Sequence, residues 1–255
     1  MFLLFFFSFH KIYYIIVLEG GFMLFDFCYN VLLFFIFSVV GYIIEISHIS
    51  IKQKKFVWSR GYLLGPYLPI FGIGGWLMVY FLSKYQNDIV AIFVFSMIIC
   101  CLLEYITSFL MEKLFKLRWW DYSNRRFNIN GRICLENGIL FGFVGVWVLF
   151  CLNPVVANFI YDLDNSLIYF FGIFVFIIML LDLIVSTVSI LKLKIDTSLY
   201  TNQDATSRVK KEIIESLSKY MFYYKRLFVA FPDIMKSKTM RIIRNNVESV
   251  KEKKK

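Results

Sequence analysis

The chain has 255 residues, of which 59% are apolar and 18% charged, and its mean hydropathy is +0.67. A soluble domain carries about 45–50% apolar and about 25% charged residues, so the composition excludes a soluble enzyme, a disordered chain and a secreted disulfide scaffold. The net charge of +10 is uneven: residues 201–255 hold 14 Lys/Arg against 6 Asp/Glu, a net of +8, and residues 1–200 hold 14 against 12. A split of this kind points to a membrane or nucleic-acid partner.

Residues 1–22 form an apolar N-terminal segment interrupted by Ser8, His10 and Lys11. A central Lys costs ~2.5–3.5 kcal/mol on insertion scales, so the segment is a poor span. It also lacks the basic leader and small-residue cleavage site of a signal peptide. Either Met23 is the true start, or residues 2–18 add a sixth, peripheral span with Gly20-Gly21 as its turn.

A spanning helix needs about 20 mostly apolar residues. Five stretches qualify, at 24–46, 61–83, 88–111, 137–160 and 166–191. Globular strands are only about 3–10 residues long, and a barrel strand would alternate polar and apolar residues. The run Leu167–Leu181 is apolar on every face, as a helix in lipid is. The expected fold is all-α: a polytopic transmembrane bundle over 23–195 with five core spans, followed by a basic cytoplasmic helical tail over 196–255.

Basic residues in short loops set the orientation. Lys52, Lys54, Lys55 and Arg60 follow span one. Lys113, Lys116, Arg118, Arg125, Arg126 and Arg132 follow span three. The turns at 84–88 and 161–165 carry Lys84 alone, beside Asp88, Asp162 and Asp164. Five spans with the tail inside put all the basic segments in the cytoplasm of a cell membrane. Trp58, Trp119 and Trp120 fall at span ends, where aromatic belts form.

Ionisable groups within spans are candidates for function. Ser38, Gly41, Glu45, His48 and Lys52 share one helical face, because they step by three and four. Glu104, Ser108 and Glu112 do the same in span three. Glu104 has apolar turns on both sides and must pair, protonate or face water, and Arg132 is its first candidate partner. Asp182, Ser186 and Ser189 form a third such face. Glu45, Glu104 and Asp182 are placed to converge inside a bundle, as in proton and cation pathways or in a buried structural network. Span two holds Pro66, Pro69 and several glycines. It reads either as a broken helix beside a cavity or as a glycine packing face.

The segment 113–138 mixes two Trp, one Tyr, four Arg and four Asn with apolar residues. Arg125, Arg126 and Arg132 are candidates for a lipid or substrate phosphate. Asp121 can pair with an arginine or cap a short helix. Asn128, Asn130 and Gly131 predict a tight turn with positive φ. The segment reads as an interfacial, re-entrant connection between spans three and four, or as a ligand-binding or coupling loop.

Three blocks resemble the "putative ABC-transporter type IV" family of permease-like bacterial membrane proteins. The first is Gly41-Tyr-Ile-Ile-Glu45 through Arg60-Gly-Tyr-Leu-Leu-Gly-Pro-Tyr-Leu-Pro-Ile-Phe-Gly72. The second is Leu103-Glu-Tyr-Ile-Thr-Ser-Phe-Leu-Met-Glu112. The third is Arg118-Trp-Trp-Asp-Tyr-Ser123 with Phe127-Asn-Ile-Asn-Gly-Arg-Ile-Cys134. The family pattern has Asn where this chain has Ser59 and Cys where it has Leu68, so neither position inherits a role. The resemblance implies a multi-pass permease subunit and a separate ATPase subunit. The chain itself has no P-loop, and no cofactor is expected.

The five cysteines show no C-x-x-C spacing and read as packing residues. In the tail, Val209, Ile213, Leu217, Tyr220, Tyr224, Leu227 and Phe231 line one helical face. With the surrounding lysines this predicts contact with anionic inner-leaflet lipids. A docking helix is the rival reading, and no nucleic-acid motif is present. The functional reading is a transporter subunit of unassigned substrate, more plausibly not an enzyme itself. The alternatives are a membrane-embedded enzyme acting on a lipid or envelope phosphate intermediate, and a non-catalytic scaffold or regulator.

Overall fold

The computed structural model describes residues 20–54, 56, 61–115 and 118–201. Most of the expected N-terminal segment and nearly all of the basic tail lie outside these residues. So do Lys55, Trp58, Arg60 and Lys116.

Among the described residues five α-helices make up the fold: α1 (Gly20–Gln53), α2 (Pro69–Leu82), α3 (Ile89–Phe115), α4 (Leu135–Tyr161) and α5 (Asn165–Thr201). Four of them, α1, α3, α4 and α5, are long and apolar enough to cross a membrane. A two-stranded hairpin, β1 (Asn128–Ile129) and β2 (Ile133–Cys134), sits between α3 and α4.

The second predicted span is not one continuous helix. Only 14 of its residues are α-helical, and at 1.5 Å per residue they extend about 21 Å, short of the ~30 Å hydrocarbon layer. Residues 61–68 are not helical. Pro66 and Pro69 supply no amide donors, and Pro69 opens α2 at a position where a missing N–H costs nothing. The first predicted span is extended: α1 begins at Gly20, so Gly20 and Gly21 lie within a helix and not in a hairpin turn. Within α4 the backbone widens to a π-turn at Val148–Leu152, just ahead of Pro154. A π-bulge absorbs the hydrogen bond that an interior proline cannot make.

The helices alternate in direction. Phe71 of α2 packs on Gly41 of α1, and further along Trp76 Nε1 donates to Asn30 Oδ1 (2.8 Å), so α1 and α2 are antiparallel. Gly138 and Gly142 of α4 meet Cys101 and Phe93 of α3 in the same sense. α5 runs parallel to α1, with Gly172 against Cys28 and Met179 in one buried cluster with Phe34.

At one end of the bundle the core is apolar and aromatic. It is built from Cys28, Leu32, Val156, Ile160 and Ile168, with Tyr29 and Tyr161 rings 4.9 Å apart. Outward, α3 exposes Ile98, Leu102, Ile106 and Phe109, and α5 exposes Phe170, Phe174, Ile177, Leu181, Ile184 and Val188. Large apolar side chains at helical spacing on an outer surface call for a lipid surround. The polar groups gather at the opposite end, where α1, α3 and α5 finish and α4 begins.

Candidate functional site at the polar end

Asp182 is the first centre of this site, and its carboxylate is fully occupied. Oδ1 accepts from Leu64 N (2.8 Å) and Ser186 Oγ (2.9 Å). Oδ2 accepts from Gly65 N (2.8 Å) and Tyr67 Oη (2.6 Å). These bonds replace the ones that residues 61–68 forgo by not being helical. Leu68 N completes the arrangement by donating to Ser38 O (3.0 Å). Tyr62 Oη and Thr187 Oγ1 pair at 2.7 Å one turn further along α5. Asp182 therefore holds the non-helical segment in place. Pro66 is exposed on that segment, and Pro69 is partly buried at the start of α2.

Glu104 is the second centre, about 22 Å along α3 from Ile89 at the standard helical rise. It is 7% exposed. Oε1 accepts from Tyr122 Oη (3.0 Å). Oε2 is buried with no hydrogen-bond partner among the described residues. Glu45, partly buried on α1, is near enough to Glu104 for the two charges to repel. Burial, together with the Glu104 charge, pushes the Tyr122 phenol far above its ordinary value, so it stays a donor. The four hydrogen bonds of Asp182 include none to Glu45 or Glu104.

The expected Arg132–Glu104 pair does not form. Arg132 instead pairs with Glu112 (2.7 Å) and donates to Ser108 Oγ (3.3 Å), one and two turns beyond Glu104. Its guanidinium lies over the Tyr105 and Phe109 rings, 5.8 and 5.5 Å from their centroids. The hydroxyl of Tyr122 is long enough to reach Glu104 from the loop, and it brings no second charge into a buried position.

The 118–134 segment folds back onto the bundle. Asn130 and Gly131 have φ of +52° and +65°, giving the predicted turn, and Arg132 N closes it on Ile129 O (3.0 Å). Asn128 braces it by accepting from Gly131 N (3.0 Å) and donating to Arg125 O (2.7 Å). Asp121 pairs with Arg118 (3.4 Å) and accepts from Ser123 N (3.0 Å). Arg125 pairs with Glu136 (3.0 Å), and Arg126 is exposed. Asn130 Nδ2 reaches Tyr105 Oη (2.9 Å), three turns before the end of α3. Trp119, expected at the membrane interface, is 2% exposed and packs on Tyr62 and Phe115. Trp120 donates to Arg132 O (3.0 Å).

Sequence reading missed Tyr67, Tyr122 and Trp119 as site-forming residues. All three lie in motifs already notable for aromatic content, but nothing in their spacing says which carboxylate each one meets. Among the described residues, no group of three His, Cys, Asp or Glu is placed to hold a metal ion.

Apolar helices with exposed hydrophobic faces, enclosing acidic side chains at one end, define a multi-pass α-helical membrane protein. The chain belongs to the family described as "Putative ABC-transporter type IV", whose pattern matches residues 32–187. The matched region holds both carboxylate centres, the non-helical segment and the hairpin. Comparisons with curated proteins and with solved structures gave no match.

Proposed function

We propose that the chain is a permease-like membrane subunit of an ABC-type transporter, with nucleotide hydrolysis on a separate chain. The observation that carries this reading is the buried Glu104 oxygen without a partner among the described residues, beside Glu45 and on the face shared with Ser108. A membrane protein keeps such a group at several kcal/mol of cost only where a proton, cation or polar substrate uses it. The discontinuous segment at 61–68, with Pro66 and Pro69 and held by Asp182, supports the same reading. Unwound backbone at membrane depth is tolerated where it lines a cavity or is buried in protein. Five crossings, with α2 and the non-helical segment together making the second, would place the basic end in the cytoplasm of a cell membrane. The basic tail then lies against the inner leaflet, and the hairpin is the surface offered to the ATPase.

Purification of the full chain from its native membrane in mild detergent tests this. A nucleotide-hydrolysing subunit should co-purify, and Glu104→Gln should lower the coupled ATP hydrolysis about tenfold, within the usual coupling range of about 1–3 kcal/mol. The subunits should remain together. Co-purification without any ATPase activity, or full activity in Glu104→Gln, would overturn the assignment.

A further inference from the structure

An open groove of about 310 Å³ lies on the outer side of the α3 end, lined by Phe109, Glu112, Lys113 and Arg132. Small-ligand sites begin at about this size. Its depth is set by the helix. From Ile89, Phe109 lies about 30 Å and Lys113 about 36 Å along the axis, and the hydrocarbon layer is ~30 Å thick. Phe109 therefore marks the hydrocarbon boundary, and Lys113 stands at the level of lipid headgroups.

The cations of the groove are available to a ligand. Lys113 is exposed, has no carboxylate partner among the described residues, and lies with its ammonium 6.0 Å from the Phe109 centroid. Arg132 spends Nη1 on Glu112 and Ser108 and is held flat against Tyr105 and Phe109, which fixes the direction of its remaining donors. Two cations against one carboxylate leave one net positive charge. We infer that this groove binds the phosphodiester of an anionic glycerophospholipid, with Lys113 and the free edge of Arg132 on the phosphate and an acyl chain over the Phe109 ring. The single surplus charge matches a phosphodiester monoanion. It suits a free phosphate dianion less well, because Glu112 repels the second charge.

The test is native mass spectrometry of the full-length chain after exchange into mixed micelles of phosphatidylglycerol, phosphatidylcholine or neither, with inorganic phosphate as a separate arm. The wild-type chain should retain one phosphatidylglycerol more tightly than phosphatidylcholine. Lys113→Gln should weaken that retention about fivefold, the change that about 1 kcal/mol per basic residue near the headgroups produces. Lys113→Arg should restore it, and Lys84→Gln at the opposite end should leave it unchanged. Equal retention in Lys113→Gln and wild type, or no preference over phosphatidylcholine, overturns the site. Displacement of the lipid by millimolar inorganic phosphate assigns the groove to free phosphate and overturns the lipid assignment. Lys113 is exposed, so unchanged melting of its variants is the folding control.

Discussion

Replacing Asp182 by Asn tests the role of its carboxylate as a substitute for missing helix bonds. The carboxylate accepts four hydrogen bonds, two from backbone amides. Asn keeps one carbonyl oxygen, which can still take Leu64 N and Ser186 Oγ. Its amide nitrogen is a donor, and it would face Gly65 N and Tyr67 Oη. The tyrosine hydroxyl can rotate and accept, but the Gly65 amide cannot. The substitution thus strands one buried donor, at about 1–3 kcal/mol, and turns the surviving charge-assisted bonds into neutral ones. A loss of about 2–4 kcal/mol follows, or a melting temperature lower by on the order of 10 °C for a domain of this size. Asp182→Ala, which removes every acceptor, should cost more. The buried thiols of Cys28, Cys100 and Cys134 provide the assay, since a thiol-reactive fluorophore reports their exposure on heating in detergent. Hydrogen exchange gives the local readout: Leu64 and Gly65 amides should lose protection before the rest of the bundle. If Asp182→Asn melts with the wild type and these two amides exchange no faster, the carboxylate does not hold the segment.

Gly72→Ala should lower stability by about 1–3 kcal/mol, the usual cost of overpacking, because the new Cβ would collide with Ser38 Oγ and lie 2.8 Å from Phe34 O. Adding Ser38→Ala should recover only part of this loss, since the backbone carbonyl remains; full recovery in the same melting assay would refute the close approach. Gly131→Ala should loosen the hairpin, since residue 131 sits at φ +65° and a Cβ would meet Asp121 Oδ1 at 2.6 Å. Limited trypsin digestion should then cut faster at Arg125 and Arg126. Tyr122 gives a pH signature. Its phenol is held above the ordinary value in the folded chain, so the native state keeps a proton that the unfolded state releases above pH ~10. Stability contributed by Tyr122 is full below that pH and falls as pH rises, by up to about 1.4 kcal/mol per unit. Tyr122→Phe should flatten this alkaline loss in denaturant titrations between pH 9 and 11, and an unchanged slope would count against burial of the phenol.

The helices were legible because a lipid surround imposes one dominant rule, about 20 apolar residues per crossing, and α3, α4 and α5 contain the predicted runs with small shifts at their ends. The turn at Asn130-Gly131 was legible for a local reason, the tolerance of these residues for positive φ. The break in the second span was only one of two readings open in the sequence, because hydropathy counts side chains and ignores amide donors. Residues 61–68 are apolar enough to sit in lipid, yet two prolines and a distant carboxylate take their backbone out of the helix. The pairing of Glu104 was misjudged for a different reason. Charge favoured Arg132, but α3 carries its own carboxylate at Glu112, nearer the water, where an ion pair costs less desolvation. Which tyrosine reaches which acid depends on how the segment after α3 folds back, and no periodicity encodes that.

The two carboxylates of the polar end differ in what binding a proton or an ion would cost. Asp182 faces four donors and no described cation, so a proton or ion arriving there would have to displace bonds that hold the backbone. Glu104 faces one donor and a second acid. Taking up a proton or cation there relieves repulsion and fills an empty acceptor, and no backbone bond is broken. The Tyr62 ring of the 61–68 segment packs on Phe115 and on Trp119, which precedes Tyr122 in the same loop. We predict that occupation of Glu104, felt by Tyr122, reaches the segment that Asp182 anchors by way of Trp119. If Trp119→Leu leaves the hydrogen-exchange rates of Leu64 and Gly65 indifferent to Glu104→Gln, and the intact chain shows a change, the rings carry that coupling. An equal response in both backgrounds removes Trp119 from the path.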